Sequence, residues 1–158
     1  MTRPTNAIID ISALQANLQQ VKNHASQQQI MAVVKANAYG HGAARVANTI
    51  ANDVDAFAVC CLEEAIQLRD ININQPIVIL EGFFHPDELP IIAKQNLQVV
   101  ISTATQFKQL TKAKLENPIT IWVKVDTGMH RLGFTPKETI SVYQLAEQNP
   151  NIAEPIKL

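Results

Sequence analysis

Five times along this chain a short apolar run gives way to a stretch with helical spacing of apolar residues. That alternation limits the fold more than any other feature. The runs fall at residues 31–34, 56–60, 77–80, 97–101 and 119–125, and a sixth starts at 155. Four or five apolar residues in succession suit a strand buried on both faces. Strands that alternate with helices must lie parallel, so the reading is α/β. Two closures are compatible with it. A doubly wound open sheet would be complete at this length, whereas a (β/α)8 barrel needs about 250 residues and would be present only in part. No GxGxxG or GxxxxGK[ST] follows any run, which removes the strongest support for a nucleotide-binding open sheet.

The helices between the runs announce themselves by caps and stripes. Residues 6–11 read as an extended lead-in, and Ser12 with Gln15 forms a capping-box pair that starts a helix carrying Leu14, Leu18 and Val21 on one face. A second helix at 43–50 has Ala43, Val46, Ala47 and Ile50 as its buried stripe. Glu63 and Glu64 open a third that ends near Arg69, acid first and base last, as the helix dipole prefers. Pro86-Asp87-Glu88 begins a short helix, 105–115 is another with Phe107 and Leu110, and Thr135-Pro136-Lys137-Glu138 caps a last one running to about 148.

Composition narrows the functional classes. A formal net charge of −1 offers no basic surplus, so neither nucleic acid nor an anionic membrane is an expected partner. The apolar runs are strand-sized, far short of a membrane span, and MTRPTNAIID has no apolar signal core, so a cytoplasmic location is expected. There the adjacent Cys60 and Cys61 would stay reduced, as small core or strand-end residues. His24, His41, His85 and His130 show no metal-ligand spacing, and no metal is expected.

The chemistry-bearing residues gather at the C-terminal ends of two runs. The first run stops at Lys35 and breaks into Ala36-Asn37-Ala38-Tyr39-Gly40-His41-Gly42. The fifth ends Trp122-Val123-Lys124-Val125-Asp126 and passes into a glycine-flanked loop holding Arg131. Strand alternation puts Met31, Val33 and Lys35 on one face, and Trp122, Lys124 and Asp126 on one face of the other strand. A mouth with two lysines and an arginine suits a small anion bearing carboxylate or phosphate. Each residue also has an ordinary role. Strand-end lysines snorkel to water, Tyr39 packs on a loop, Arg131 makes a surface pair, His41 and His130 hydrogen-bond their loops, and Asp126 braces its own.

The wording of four stretches adds what spacing cannot. AVVKANAYGHGA (32–43), FAVCCLEEAIQLR (57–69), ILEGFFHPDELP (79–90) and WVKVDTGMHRLGF (122–134), in that order, closely resemble alanine racemase, a fold-type III pyridoxal-phosphate enzyme. The resemblance implies that the chain is the N-terminal pyridoxal-phosphate-binding part of a (β/α)8 TIM-type barrel, five βα units of it. The remaining barrel strands and a C-terminal β-domain would lie outside residues 1–158. It implies pyridoxal 5'-phosphate as cofactor, held by Lys35, which is also the base on the D-alanine side. Tyr39 matches a tyrosine near the cofactor phosphate, and Arg131 the arginine beside the cofactor's phenolic oxygen and the substrate carboxylate. Lys124 matches a lysine that many members carbamylate, which would turn it into an anion able to orient Arg131. The implied reaction is interconversion of L- and D-alanine for peptidoglycan by a homodimer, with the second base a tyrosine from the partner's C-terminal domain. That tyrosine is not in these residues, so the chain by itself is expected to be inactive. Two other readings stand beside it: a fold-type III enzyme for a different amino acid, and a non-catalytic half-barrel that only binds pyridoxal phosphate.

Overall fold

The apolar runs pair with one another in the order in which they occur. In the computed structural model, which describes residues 7–158, six strands form one parallel sheet in the order β1-β2-β3-β4-β5-β6. They are β1 (Met31–Val33), β2 (Ala56–Val59), β3 (Ile77–Ile79), β4 (Gln98–Ile101), β5 (Ile119–Val123) and β6 (Ile152–Lys157). The helices are α1 (Ile11–His24), α2 (Lys35–Tyr39), α3 (Ala43–Ile50), α4 (Leu62–Asp70), α5 (Leu89–Lys94), α6 (Ala104–Lys112) and α7 (Pro136–Ala146). Asn6, the first residue of the expected lead-in, lies outside the described residues, as does most of the MTRPTNAIID segment.

Strand order decides between the two closures. A doubly wound sheet reverses its order at a switch point and so places helices on both faces. Here the order never reverses, so every crossover returns to the same face, as in the wall of a barrel. The core divides accordingly. One cluster joins Phe57, Val59, Ile77, Ile79, Val99, Ile101, Ile119, Ile121 and Val123 from the strands to Val46, Leu62, Leu68, Leu89, Ile92, Phe107, Leu110 and Val142 from the helices. The other contains strand-face residues alone: Ala58, Val78 and Val100, with Met31, Leu80 and Trp122 packed on them. Burying each large aliphatic or aromatic side chain of the first cluster stabilises the sheet–helix layer by about 1.5–3 kcal/mol. Val33, on the helix-free face, is 44% exposed.

Several expected boundaries move. The cap of α1 is Asp10, whose Oδ1 accepts from the Ala13 N–H at 3.1 Å, and not Ser12, which lies inside the helix. Val21 is half-exposed, while Leu14 and Leu18 meet the core. Strand β5 ends at Val123, and Val125 instead bridges to Phe134 beyond the loop. Strand β6 starts at Ile152, three residues before the point where apolar spacing resumes, because Ile119 and Thr120 pair with Ile152 and Ala153. The Thr135–Glu138 capping box is present as read.

Candidate active site

Each strand delivers its last residue to the same end of the sheet, and there Lys35, Lys124 and Arg131 line one cleft. The cleft has a volume of about 600 Å3, and Leu80, Val100, Trp122, Leu132 and Leu158 supply its apolar surface. Glu81 also lines it. Lys35 and Lys124 are half-buried and Arg131 is exposed. Among the described residues, no carboxylate lies within ion-pair distance of any of these three cations. Tyr39, a residue expected at the site, is not part of the lining and is 63% exposed.

The backbone that carries Lys35 is unusual. Ala36, Asn37, Ala38 and Tyr39 have φ values of 51, 53, 53 and 53°, so most of α2 is a left-handed turn built without glycine. Left-handed backbone costs an L-residue about 1–2 kcal/mol, and four in succession cost on the order of 4–8 kcal/mol. Compensating bonds surround the turn. The Glu64 Oε1 accepts from the Ala36 N–H at 2.7 Å, Asn37 Oδ1 accepts from the Ala43 N–H at 2.8 Å, and His41 Nδ1 lies 2.8 Å from the Ala38 carbonyl. His41 therefore acts as the loop hydrogen-bonder it was read to be.

Glu64 belongs to α4, one βα unit away. Its Oε2 accepts from the Cys60 N–H at 3.0 Å and from the Cys60 thiol at 3.1 Å. Burial works to raise its pKa, but donation from Cys60 and from the Ala36 and Asn37 amides outweighs burial and holds the carboxyl below its usual range. Burial, and then the bond to Glu64, push the Cys60 thiol up to about 12, so it remains a donor. Both cysteines are free, and with Glu64 they form a group whose ligand atoms lie within 4.8 Å of one another. Both oxygens of that carboxylate are already engaged.

A second clamp of the same design holds the loop after β3. Gln106 of α6 accepts from the Ser102 N–H at 3.1 Å and donates from Nε2 to the Glu81 and Phe83 carbonyls. Cys60–Glu64 and Ser102–Gln106 share one spacing: the last residue of the strand exit, then a carbonyl-bearing side chain four residues on. Sequence reasoning assigned Glu64 only to the helix dipole and did not single out Gln106, and this spacing is the signal that could have found both. It also missed Glu81 and the apolar lining other than Trp122.

The Arg131 loop is braced from within. Asp126 Oδ1 accepts from the Gly128 and His130 N–H groups, each at 3.0 Å, and Oδ2 meets His130 Nδ1 at 2.9 Å. Donation from the His130 and then the Gly128 backbone lowers the Asp126 pKa to about 2. The loop closes where Phe134 N–H donates to the Lys124 carbonyl and Asp126 N–H to the Phe134 carbonyl, both at 2.8 Å. Gly133, at φ +117°, is required there: a Cβ would stand 2.9 Å from the Lys124 carbonyl oxygen and 3.0 Å from the Asp126 nitrogen.

Known proteins resemble this chain in sequence and in fold. The family model described as "Alanine racemase, N-terminal domain" matches residues 9–157. The alanine racemase of Vibrio parahaemolyticus is 45% identical over 155 residues, covering 98% of this chain and 43% of the relative. That of Haemophilus influenzae is 46% identical over 150 residues, covering 95% and 42%. Among solved structures, the biosynthetic alanine racemase from Pseudomonas aeruginosa superposes with a TM-score of 0.88 at 40% identity, over 92% of this chain and 41% of that one. The alanine racemase from Acinetobacter baumannii gives 0.82 at 40% identity, over 88% and 40%. The chain thus spans less than half the length of these relatives.

Proposed function

This chain belongs to the alanine racemase family, whose N-terminal domain it matches, and from that premise we propose that Lys35 is the residue that binds pyridoxal phosphate. One observation carries the reading: Lys35, Lys124 and Arg131, nearly a hundred residues apart at their extremes, line a single cleft at the strand ends. The residues present fit the cofactor. A primary amine suits an aldehyde, Leu80, Val100 and Trp122 give an apolar wall for a ring, and the Arg131 guanidinium favours phosphate and carboxylate groups. When bound, pyridoxal phosphate supplies an electron sink for the charge left as a substrate α-proton departs.

The chain's own groups do the remaining work on one side of the substrate. The Lys35 amine takes and returns the α-proton, Arg131 binds the carboxylate, and Tyr39, on the same turn as Lys35, is the residue assigned to the phosphate. Lys124 is the position for a carbamate that would orient Arg131. The whole protein is proposed to interconvert L- and D-alanine in the cytoplasm, as a homodimer that supplies peptidoglycan synthesis. No helix among the described residues is long and apolar enough to cross a membrane. The opposite proton needs a second base. Of the two tyrosines, Tyr39 is on the Lys35 turn and Tyr143 packs on the helix side of the sheet.

Reductive trapping tests the reading. The purified chain, treated with pyridoxal phosphate and then borohydride, is expected to carry its label on Lys35, and Lys35→Ala to lose it. Label spread evenly over the other lysines overturns the assignment. The 158-residue chain alone is expected to show no D/L-alanine exchange. Exchange abolished by Lys35→Ala would show that it needs no second base from elsewhere.

A further inference from the structure

Nothing within the Lys35 turn accepts the Ala36 N–H; among the described residues that donor is met only by Glu64, from the neighbouring βα unit. Because the same carboxylate accepts from the Cys60 N–H and thiol, it ties the residue after Lys35 to the end of β2 through two different oxygens. We propose that Glu64 is a positioning residue, which acts through the Ala36 amide to fix the left-handed turn and so the direction in which the Lys35 amine enters the cleft. The proposal rests on the reading of Lys35 as the cofactor lysine.

The chemistry of the clamp is specific to a carboxylate. Every group that meets Glu64 is a donor, so both of its oxygens must accept. Glutamine has the same shape but only one accepting oxygen, and its amide would set donor against donor at either Ala36 or Cys60. Aspartate keeps the charge but is one methylene too short to span both. The contrast with Gln106 is instructive, because there the partners include two carbonyls and an amide is the right clamp.

The test is the distribution of the phosphopyridoxyl label among lysines after borohydride reduction, read by peptide mass spectrometry. Glu64→Gln is expected to lower the Lys35 share roughly ten-fold, the loss of one charge-assisted hydrogen bond, with label on the distant Lys94 and Lys108 unchanged. Ala36→Gly in the Glu64→Gln background is expected to restore much of it. Glycine holds φ near +51° without the Cβ penalty, so the turn then needs less from its clamp. If Glu64→Gln does not yield folded protein, Glu64→Asp carries the same test. An unchanged Lys35 share in these variants, or a loss that glycine does not recover, overturns the proposal. Wild-type chain without enrichment at Lys35 would overturn the cofactor assignment instead, and leave the two failures distinguishable.

Discussion

Side chains clamp the backbone at both ends of the sheet, and the ends differ in what else they hold. At the end where strands begin, polar side chains saturate the backbone of nearly every inlet. Asp55 accepts from the Ile30 N–H ahead of β1, and Asn151 donates to the Leu110 and Ala113 carbonyls at the foot of α6. Arg69 alone donates to four carbonyls, those of Ile73, Gln75, Gln95 and Asn96, stapling the inlets of β3 and β4 together. The hollow there, about 680 Å3, has a Lys22–Asp53 ion pair at 2.6 Å in its lining. At the other end three cations share a cleft with none of them ion-paired among the described residues, one turn runs left-handed, and a loop depends on a glycine. Clamped inlets thus lie at one end and the proposed chemistry at the other, the division expected of barrels whose chemistry lies beyond the strand C-termini.

The comparison breaks if either end governs the other. The largest effect on folding is expected at the floor. Arg69→Ala should cost about 2–3 kcal/mol in urea unfolding, since it strips a charged donor from several carbonyls. It should leave the share of label on Lys35 in the folded protein unchanged. A fall in that share would show that the floor controls the mouth. Next comes Gly133→Ala, expected to cost about 1–2 kcal/mol through strain at positive φ and a backbone collision. Its signature is faster amide exchange at Phe134 and Asp126, with the Phe57 amide, which donates to the Pro76 carbonyl at the floor, still protected. Equal acceleration at both sites would mean that the two ends unfold as one. The smallest effect is a pH dependence confined to the Asp126 loop. Its pKa is depressed to about 2, so the bracing is complete above the ordinary carboxylate value and is lost as pH falls through about 2. The Gly128 and His130 amide resonances should move with that midpoint; movement at ordinary carboxylate pH instead would remove Asp126 as the brace.

Sequence pattern disclosed β1 to β5 because apolar residues dominate each, although it carried β5 two residues past Val123 and began β6 three residues late. Lys35 and Lys124 were legible as mouth residues, and Arg131 as their neighbour, from alternation and from the resemblance of the flanking motifs. Strand order was not legible in the pattern itself, since the same βα alternation serves an open sheet and a barrel; the resemblance implied the barrel, and the unreversed order agrees with it. The α1 cap was misplaced because Asp10 and Ser12 cap equally well in isolation, and only the backbone shows that Asp10 takes the extended conformation. The left-handed turn was hidden more deeply. Ala-Asn-Ala-Tyr carries no glycine to announce positive φ, and the residue that holds it, Glu64, is almost thirty positions away. Val33 was read as buried because its run is apolar, yet it faces the side of the sheet that has no helix against it.

Trp122 is the chain's only tryptophan, and it stands on that helix-free face, in the wall of the cleft. Its Nε1–H donates to Gln98 Oε1 at 2.8 Å, and Lys157 Nζ lies 5.0 Å from its ring centroid, so the indole is fixed in orientation. The molecule therefore carries its own fluorophore at the place where a ligand would arrive. A pyridine aldehyde absorbing in the range of indole emission would quench that light as it settles beside the ring, and the fluorescence of the unmodified chain would report occupancy of the cleft in real time.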